Sequence, residues 1–167
     1  MATQNIAYAA DATVTISLAS IATSATFVAG AESTVISNAS NKYVDALVYG
    51  KITVGTTPTI NTIIYIYAFS VIDQTPTYPD VFDGTDSTET LTSVGVGSGF
   101  LRLCAVLNVD ATTSNIAYPF AFSLAEKFGG VMPPQWGLFV THNTGVNLNA
   151  TGGNHVIKYA GITYTFA

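Results

Sequence analysis

Charge is what this sequence has least of. Asp, Glu, Lys and Arg make up 9% of its 167 residues, against about 25% in an ordinary soluble domain. The basic residues are Lys42, Lys51, Arg102, Lys127 and Lys158, scattered along the chain. They form no patch for a phosphate backbone or an anionic membrane, so neither nucleic acid nor membrane is expected as a partner. Cysteine is nearly missing too. Cys104 stands alone and cannot close an intramolecular disulfide, so stability must come from packing and assembly, and a reducing cytoplasm is a permitted place of synthesis. Long apolar runs are also lacking. "TIIYIYAF" and "GLFV" fall far short of a membrane span, and the first twenty residues have no basic start followed by an apolar block, so no secretion or membrane insertion by the usual routes is expected. The sequons at Asn38 and Asn149 are then read as chance.

What is present is apolar. Hydrophobic residues reach 49%, and ten acids against five bases leave a formal net charge of −5. A chain with so little charge to keep its copies apart is expected to make extensive protein contacts. Its length is that of one domain able to bury roughly 70% of its unfolded surface.

Alternation with a period of two dominates the pattern. Val14, Ile16 and Leu18 alternate with Thr13, Thr15 and Ser17, which predicts a half-buried strand. Residues 19–41 are small and weakly patterned, and predict an extended arm with a short strand near Thr34 to Ser37. "KYVDALVYGKITVG" places Val44, Ala46, Val48, Ile52 and Val54 on one face, with Gly50 as a bulge candidate. "NTIIYIYAF" is apolar on both faces, as in a central strand covered twice. "GFLRLCAVLNV" follows, then "NIAYPFAFS", whose Pro119 cannot donate to a ladder and predicts an edge or a bulge. "SLAEKFGG" is the one helical turn expected, capped by Ser123 and stopped by Gly129. "QWGLFVTH" and "HVIKYAGITYTFA" close the chain as strands. The expected fold is all-β: a single-domain, jelly-roll-like β-sandwich of about eight strands, with residues 1–41 as an N-terminal arm and first strand and residues 42–167 as the body.

Chemistry-bearing constellations are weak. The segment Asp73 to Glu89 holds Asp73, Asp80, Asp83, Asp86 and Glu89. Oxygen-rich loops can bind calcium, but the spacing is not that of an EF-hand, and solvated turn acids are the other reading. Cys104 lies in an apolar strand and reads as a buried thiol rather than a nucleophile. His142 and His155 stand beside asparagines in turn-like segments, which suggests surface or loop-capping roles, and two histidines make a poor zinc site. "GVGSGF" at 95–100 lacks the lysine and the helical pattern of a phosphate loop and reads as a flexible turn. No nucleophile and base can be paired, so no enzyme activity and no cofactor are expected.

In "EKFGGVMPPQWGLFV", Gly129-Gly130 and Pro133-Pro134 make a rigid corner that delivers Trp136, the only tryptophan, at the start of a strand. Two readings stand. Phe128 and Trp136 plug one end of the core, or Phe128, Met132 and Trp136 anchor a partner subunit, as tryptophan does at binding hot spots.

"YVDALVYGKITVG", "YPDVFDGTDSTETLT", "FGGVMPPQWGLFVTHNTGVNLNATGGNH" and the closing "YAGITYTFA" resemble a family of small structural proteins encoded in the virion gene clusters of tailed bacteriophages. The resemblance covers most of the chain, and its motifs are turn and packing motifs without catalytic residues. It implies a virion protein on the outer capsid surface, made in the host cytoplasm: a decoration or cement protein, homotrimeric, whose partners are the major capsid protein and its own copies. In such an assembly the polar, weakly patterned arm of residues 1–41 is expected to reach onto an adjacent subunit, adding a strand to its sheet edge or lying along the shell. The alternative is a receptor- or carbohydrate-binding module of a tail or head fibre, with Tyr65, Tyr67, Tyr78 or Trp136 as an aromatic platform.

Overall fold

Two antiparallel sheets face each other across one core. A computed structural model describes residues 3–166. In chain order its strands are β1 (Gln4–Tyr8), β2 (Ala12–Thr13), β3 (Ala29–Glu32), β4 (Ile36–Ser37), β5 (Asp45–Thr53), β6 (Thr62–Ser70), β7 (Ser87–Thr90), β8 (Arg102–Val109), β9 (Ala117–Ser123), β10 (Gln135–His142) and β11 (Val156–Phe166). Helix α1 spans Val94–Phe100 and α2 spans Leu124–Lys127. The five-stranded sheet runs β1-β11-β5-β9 with β2 also on β11, and the six-stranded sheet runs β7-β3-β10-β6-β8 with β4 also on β10. The β-sandwich expected from the alternation is the fold.

Side-chain alternation places the core. Ala46, Val48 and Ile52 of β5, Ile64, Ile66 and Ala68 of β6, and Trp136, Leu138 and Val140 of β10 are fully buried between the sheets. Ile157 and Tyr159 of β11 face the same space. β9 sits at the edge of its sheet, where Pro119 opposite Lys51 needs no outward hydrogen bond. Ser123 caps α2, its Oγ accepting from Glu126 N at 3.3 Å, and Gly129 and Gly130 end it with φ of +74° and +88°.

Several expectations need correction. The first 41 residues are no detached arm. Residues 1 and 2 lie outside the described residues, but β1 and β2 pair with β11, β3 and β4 pair with β10, and Val14, Leu18, Ile21 and Ala31 enter the core. Burying those side chains is what holds the segment to its own body. Val14, Ile16 and Leu18 do alternate inwards, yet residues 14–18 form no ladder, because the chain crosses there from one sheet to the other. Gly50 marks no bulge, since its pairing with β9 and β11 runs unbroken. A Cβ on it would lie 1.9 Å from Val156 O, so glycine is required by close strand approach. "GVGSGF" is helical rather than a turn: Ser93 Oγ accepts from Val96 N at 3.1 Å and Leu101 N donates to Gly97 O at 2.9 Å. The strands beyond the expected eight are short ones from the arm and from the acidic segment.

Candidate functional site

The acidic segment is a roof, built on the outer face of the six-stranded sheet. Phe69 of β6 and Phe139 of β10 point outwards and are fully buried by Phe82 and Leu91 from residues 71–101. Ring centroids lie 4.5 Å apart for Phe69 and Phe82, and 5.4 Å apart for Phe82 and Phe139. Gly137 makes room for this second core, because a Cβ there would lie 2.4 Å from the Phe69 ring.

Carboxylates fasten the roof. Glu32, fully buried on β3, accepts from Gly84 N at 2.8 Å and from Asp83 N at 3.3 Å. Burial pushes its carboxyl up to about 7, although both amides pull the other way. Asp80 accepts from Thr92 N and Thr92 Oγ1 at 2.9 and 2.6 Å, and Asp86 accepts from Ser17 N and Ser17 Oγ at 2.6 and 2.7 Å. Asp73 and Asp83 accept from Thr77 and Thr85, whose hydroxyls hold both carboxyls below the usual range. Each of the five acids from Asp73 to Glu89 takes a nearby Ser or Thr hydroxyl. Among the described residues no three Asp, Glu, His or Cys side chains gather as metal ligands. The acids are hydrogen-bonded clasps, not merely solvated ones.

The histidines and the cysteine each serve in packing or capping. His142 is fully buried rather than at the surface, with Nε2 3.1 Å from Ile21 O and Nδ1 3.0 Å from Thr144 Oγ1. Burial pushes it down to about 4, so the ring is neutral and Nε2 donates to the carbonyl. His155 does cap a loop, accepting from Thr53 N at Nδ1 and meeting Asn149 O at 2.9 Å through Nε2. Cys104 is half-buried on β8, and burial pushes its thiol up to about 12. A thiol so raised is unreactive at neutral pH.

The corner splits its three candidates. Trp136 is 0% exposed and stacks edge-on against Tyr159 at 5.4 Å, so the core reading holds for it and its side chain cannot reach a partner in this fold. Its Nε1 finds no hydrogen-bond partner among the described residues. Phe128 and Met132 are partly buried against the same core and keep only an edge in water. The corner residue most open to a partner is one the sequence reading passed over, Val131, at 70% exposure.

Other exposed apolar residues collect on the two outer faces. Among the described residues, β11 beyond Ile162 pairs only with β1, making a two-stranded ribbon that runs past the end of β5. Ile6, Tyr8 and Tyr164 stand on it at 62, 64 and 51% exposure. The cleft beside them is completed by Val44, Ile162, Asp45 and Glu126. On the opposite sheet, α1 and β8 frame a groove of about 210 Å³ walled by Phe27, Tyr67, Leu91, Val94, Leu101 and Leu103. Phe27 and Tyr67 of this groove also belong to a row of rings with Tyr65, which lies outside its lining, with centroids 4.7 Å apart for Phe27 and Tyr65 and 5.6 Å apart for Tyr65 and Tyr67. Tyr78 is not in that row, since its ring covers Gly84. The alternation rule could have found Ile6 and Tyr8, which share a face in a five-residue uncharged run.

Fold and surfaces together define an all-β sandwich with a complete core and two apolar outer patches. Comparison with protein-family models, with curated proteins and with solved structures finds no match to this chain.

Proposed function

We propose that this chain is a structural virion protein of a tailed bacteriophage that decorates the outer capsid surface and stabilises the shell by contacts with the major capsid protein and with its own copies. One observation carries the reading. An acidic chain with 9% charged residues has a full core of its own, yet it keeps Ile6, Tyr8 and Tyr164 together in water. Monomers rarely leave such residues clustered unless something covers them. Covering them only in the assembled shell would raise the cost of opening it, by mass action. The sequence resemblance supports the same setting. Quantitative mass spectrometry of purified particles is the test: a copy number near that of the major capsid protein is expected, and a ratio of a few per cent would remove the decoration reading.

The row of Phe27, Tyr65 and Tyr67 favours a second reading, a carbohydrate-binding module of a tail or head fibre. Aromatic rings stack on sugar faces, and a row of three offers more than one contact. Trp136 and Tyr78 are both taken up in packing and drop out of that platform. Glycan-array binding abolished by Tyr65→Ala would support this reading over the first, and an array without signal would oppose it.

A further inference from the structure

We propose that residues 71–86 are a flap latched by Glu32, closed over Phe69 and Phe139 while that carboxyl holds its proton and released when the proton leaves. The flap is a separable piece. It runs from the end of β6 at Ser70 to the start of β7 at Ser87, and both ends are anchored in the sheet, Ser70 opposite Trp136 of β10 and Ser87 opposite Glu32 of β3. Phe69, Phe82, Leu91 and Phe139 form a cluster of their own, apart from the core between the sheets. Lifting Phe82 therefore opens the second core and leaves the first intact, a sub-global opening of the kind that separate clusters allow.

Glu32 is the tie between flap and sheet. Its side chain is fully buried, and its oxygens accept from the Asp83 and Gly84 amides of the flap. The two bonds are unequal, 2.8 Å to Gly84 N and 3.3 Å to Asp83 N, which suits a neutral acid whose carbonyl oxygen is the better acceptor. The surroundings oppose the charged form. β3 carries no other ionisable residue; on β7 Glu89 faces the carboxyl, on the flap Asp83 faces it and the Tyr78 ring covers Gly84, and β10 sets Phe139 opposite. The charged groups around it are acids, and among the described residues Glu32 enters no ion pair. An ionised Glu32 thus has two amides and no cation, and it regains water only by letting the flap go. Two further ties, Val35 N to Gly84 O at 3.0 Å and Ser17 N to Asp86 Oδ1 at 2.6 Å, hold the flap beside β7 and do not depend on that proton.

The latch belongs to the chain alone and does not rest on the assembly reading. Hydrogen exchange read by mass spectrometry on the full chain tests it. With intrinsic rates corrected, residues 71–86 should lose about thirtyfold in protection between pH 5.5 and 8.5, the factor that linkage gives for a carboxyl at about 7 when closed and 4.5 when open. At each pH the flap should also exchange faster than β5. Low, non-denaturing urea separates local from global opening: it should speed exchange in β5, which opens only with the whole chain, and hardly touch the flap, which exposes little surface. Glu32→Gln should abolish the pH response. Glu89→Gln, at a partly exposed position, leaves the fold safer and removes one facing charge, so the midpoint of the response should move to lower pH. Flap amides that follow β5 in protection and urea dependence, a flap indifferent to pH, a Glu32→Gln variant that keeps the wild-type response, or a midpoint unmoved by Glu89→Gln each overturns the latch.

Discussion

The two sheets share one core but finish their outer faces in opposite ways. The six-stranded sheet is roofed: residues 71–101 bury Phe69 and Phe139, and Glu32 and Asp80 fasten them down. The five-stranded sheet is left open, with Ile6, Tyr8, Leu47 and Tyr164 in water. The chain therefore covers an apolar sheet face where it can, and the bare face is a place where it does not. Roofing takes about thirty residues with their conformational entropy, which the Phe cluster and the clasps must offset. Among the described residues no segment does this for the other sheet.

The largest effect should come from the shared core, which both faces depend on. Trp136→Ala is expected to cost about 3–5 kcal/mol, from lost burial and the cavity it leaves. Urea denaturation should show a single, earlier transition. Trp136→Phe should cost much less than its lost volume suggests, because it also removes an indole N–H without a partner among the described residues. A loss for Trp136→Phe as large as its lost volume predicts would mean that the donor is satisfied after all.

Glu32 tests the roof. Its folded value is raised from 4.5 to about 7, so its contribution to stability is fully present below about pH 4.5 and is lost as pH rises through about 7. That change is on the order of 2–3 kcal/mol for a fully buried group. Chemical denaturation in buffers from pH 4.5 to 8 should show the wild type losing stability along this range relative to Glu32→Gln, which cannot titrate. Parallel profiles would place the carboxylate as a permanently charged acceptor of the Asp83 and Gly84 amides.

How much of this was legible follows the same division. Period-two alternation revealed β5, β9 and β11, on each of which the shared core imposes one inward face, whereas β10 is buried on both faces and was read as a strand from its apolar run. Alternation also oriented Val14, Ile16 and Leu18 correctly, but hydrogen bonding is not written in side-chain pattern, and those residues form no ladder. The roof was hidden. Aspartates in a loop look solvated until their Ser and Thr partners are known, and two of those partners, Ser17 and Thr92, lie outside the turns that hold the acids. His142 looked exposed because its neighbours are turn formers, although β10 carries it into the interior. Trp136 could not be assigned between core and partner from a corner motif alone. The ribbon was concealed by distance, since Ile6 meets Tyr164 only across the whole chain.

Helix α1, at the rim of the roof, should give a smaller effect of the opposite sign. Three of its seven residues are glycine, the poorest helix former after proline. Gly95 and Gly99 face open space or a distant contact, whereas a Cβ on Gly97 would lie 2.9 Å from Leu91 Cδ1. Gly95→Ala and Gly99→Ala are each expected to stabilise by about 0.5–1 kcal/mol, and Gly97→Ala to destabilise. Thermal melts of the three variants sharpen the comparison, since only Gly97 is tied to the second core.

The smallest effect belongs to the open face. Tyr8→Ser and Leu47→Ser should change the stability of a single chain by no more than about 0.5 kcal/mol, because surface substitutions away from packed or polar networks rarely do more. Both side chains already stand substantially in water, so truncating them forfeits little burial. Denaturation should be followed at a concentration low enough to keep copies apart, and again at a high one. If the open face is there to be covered by other protein, the low-concentration curves of variant and wild type will coincide and a gap will open as concentration rises. A large loss at low concentration would instead make the ribbon part of the chain's own packing, and the contrast between a roofed sheet and an open one would be a matter of degree.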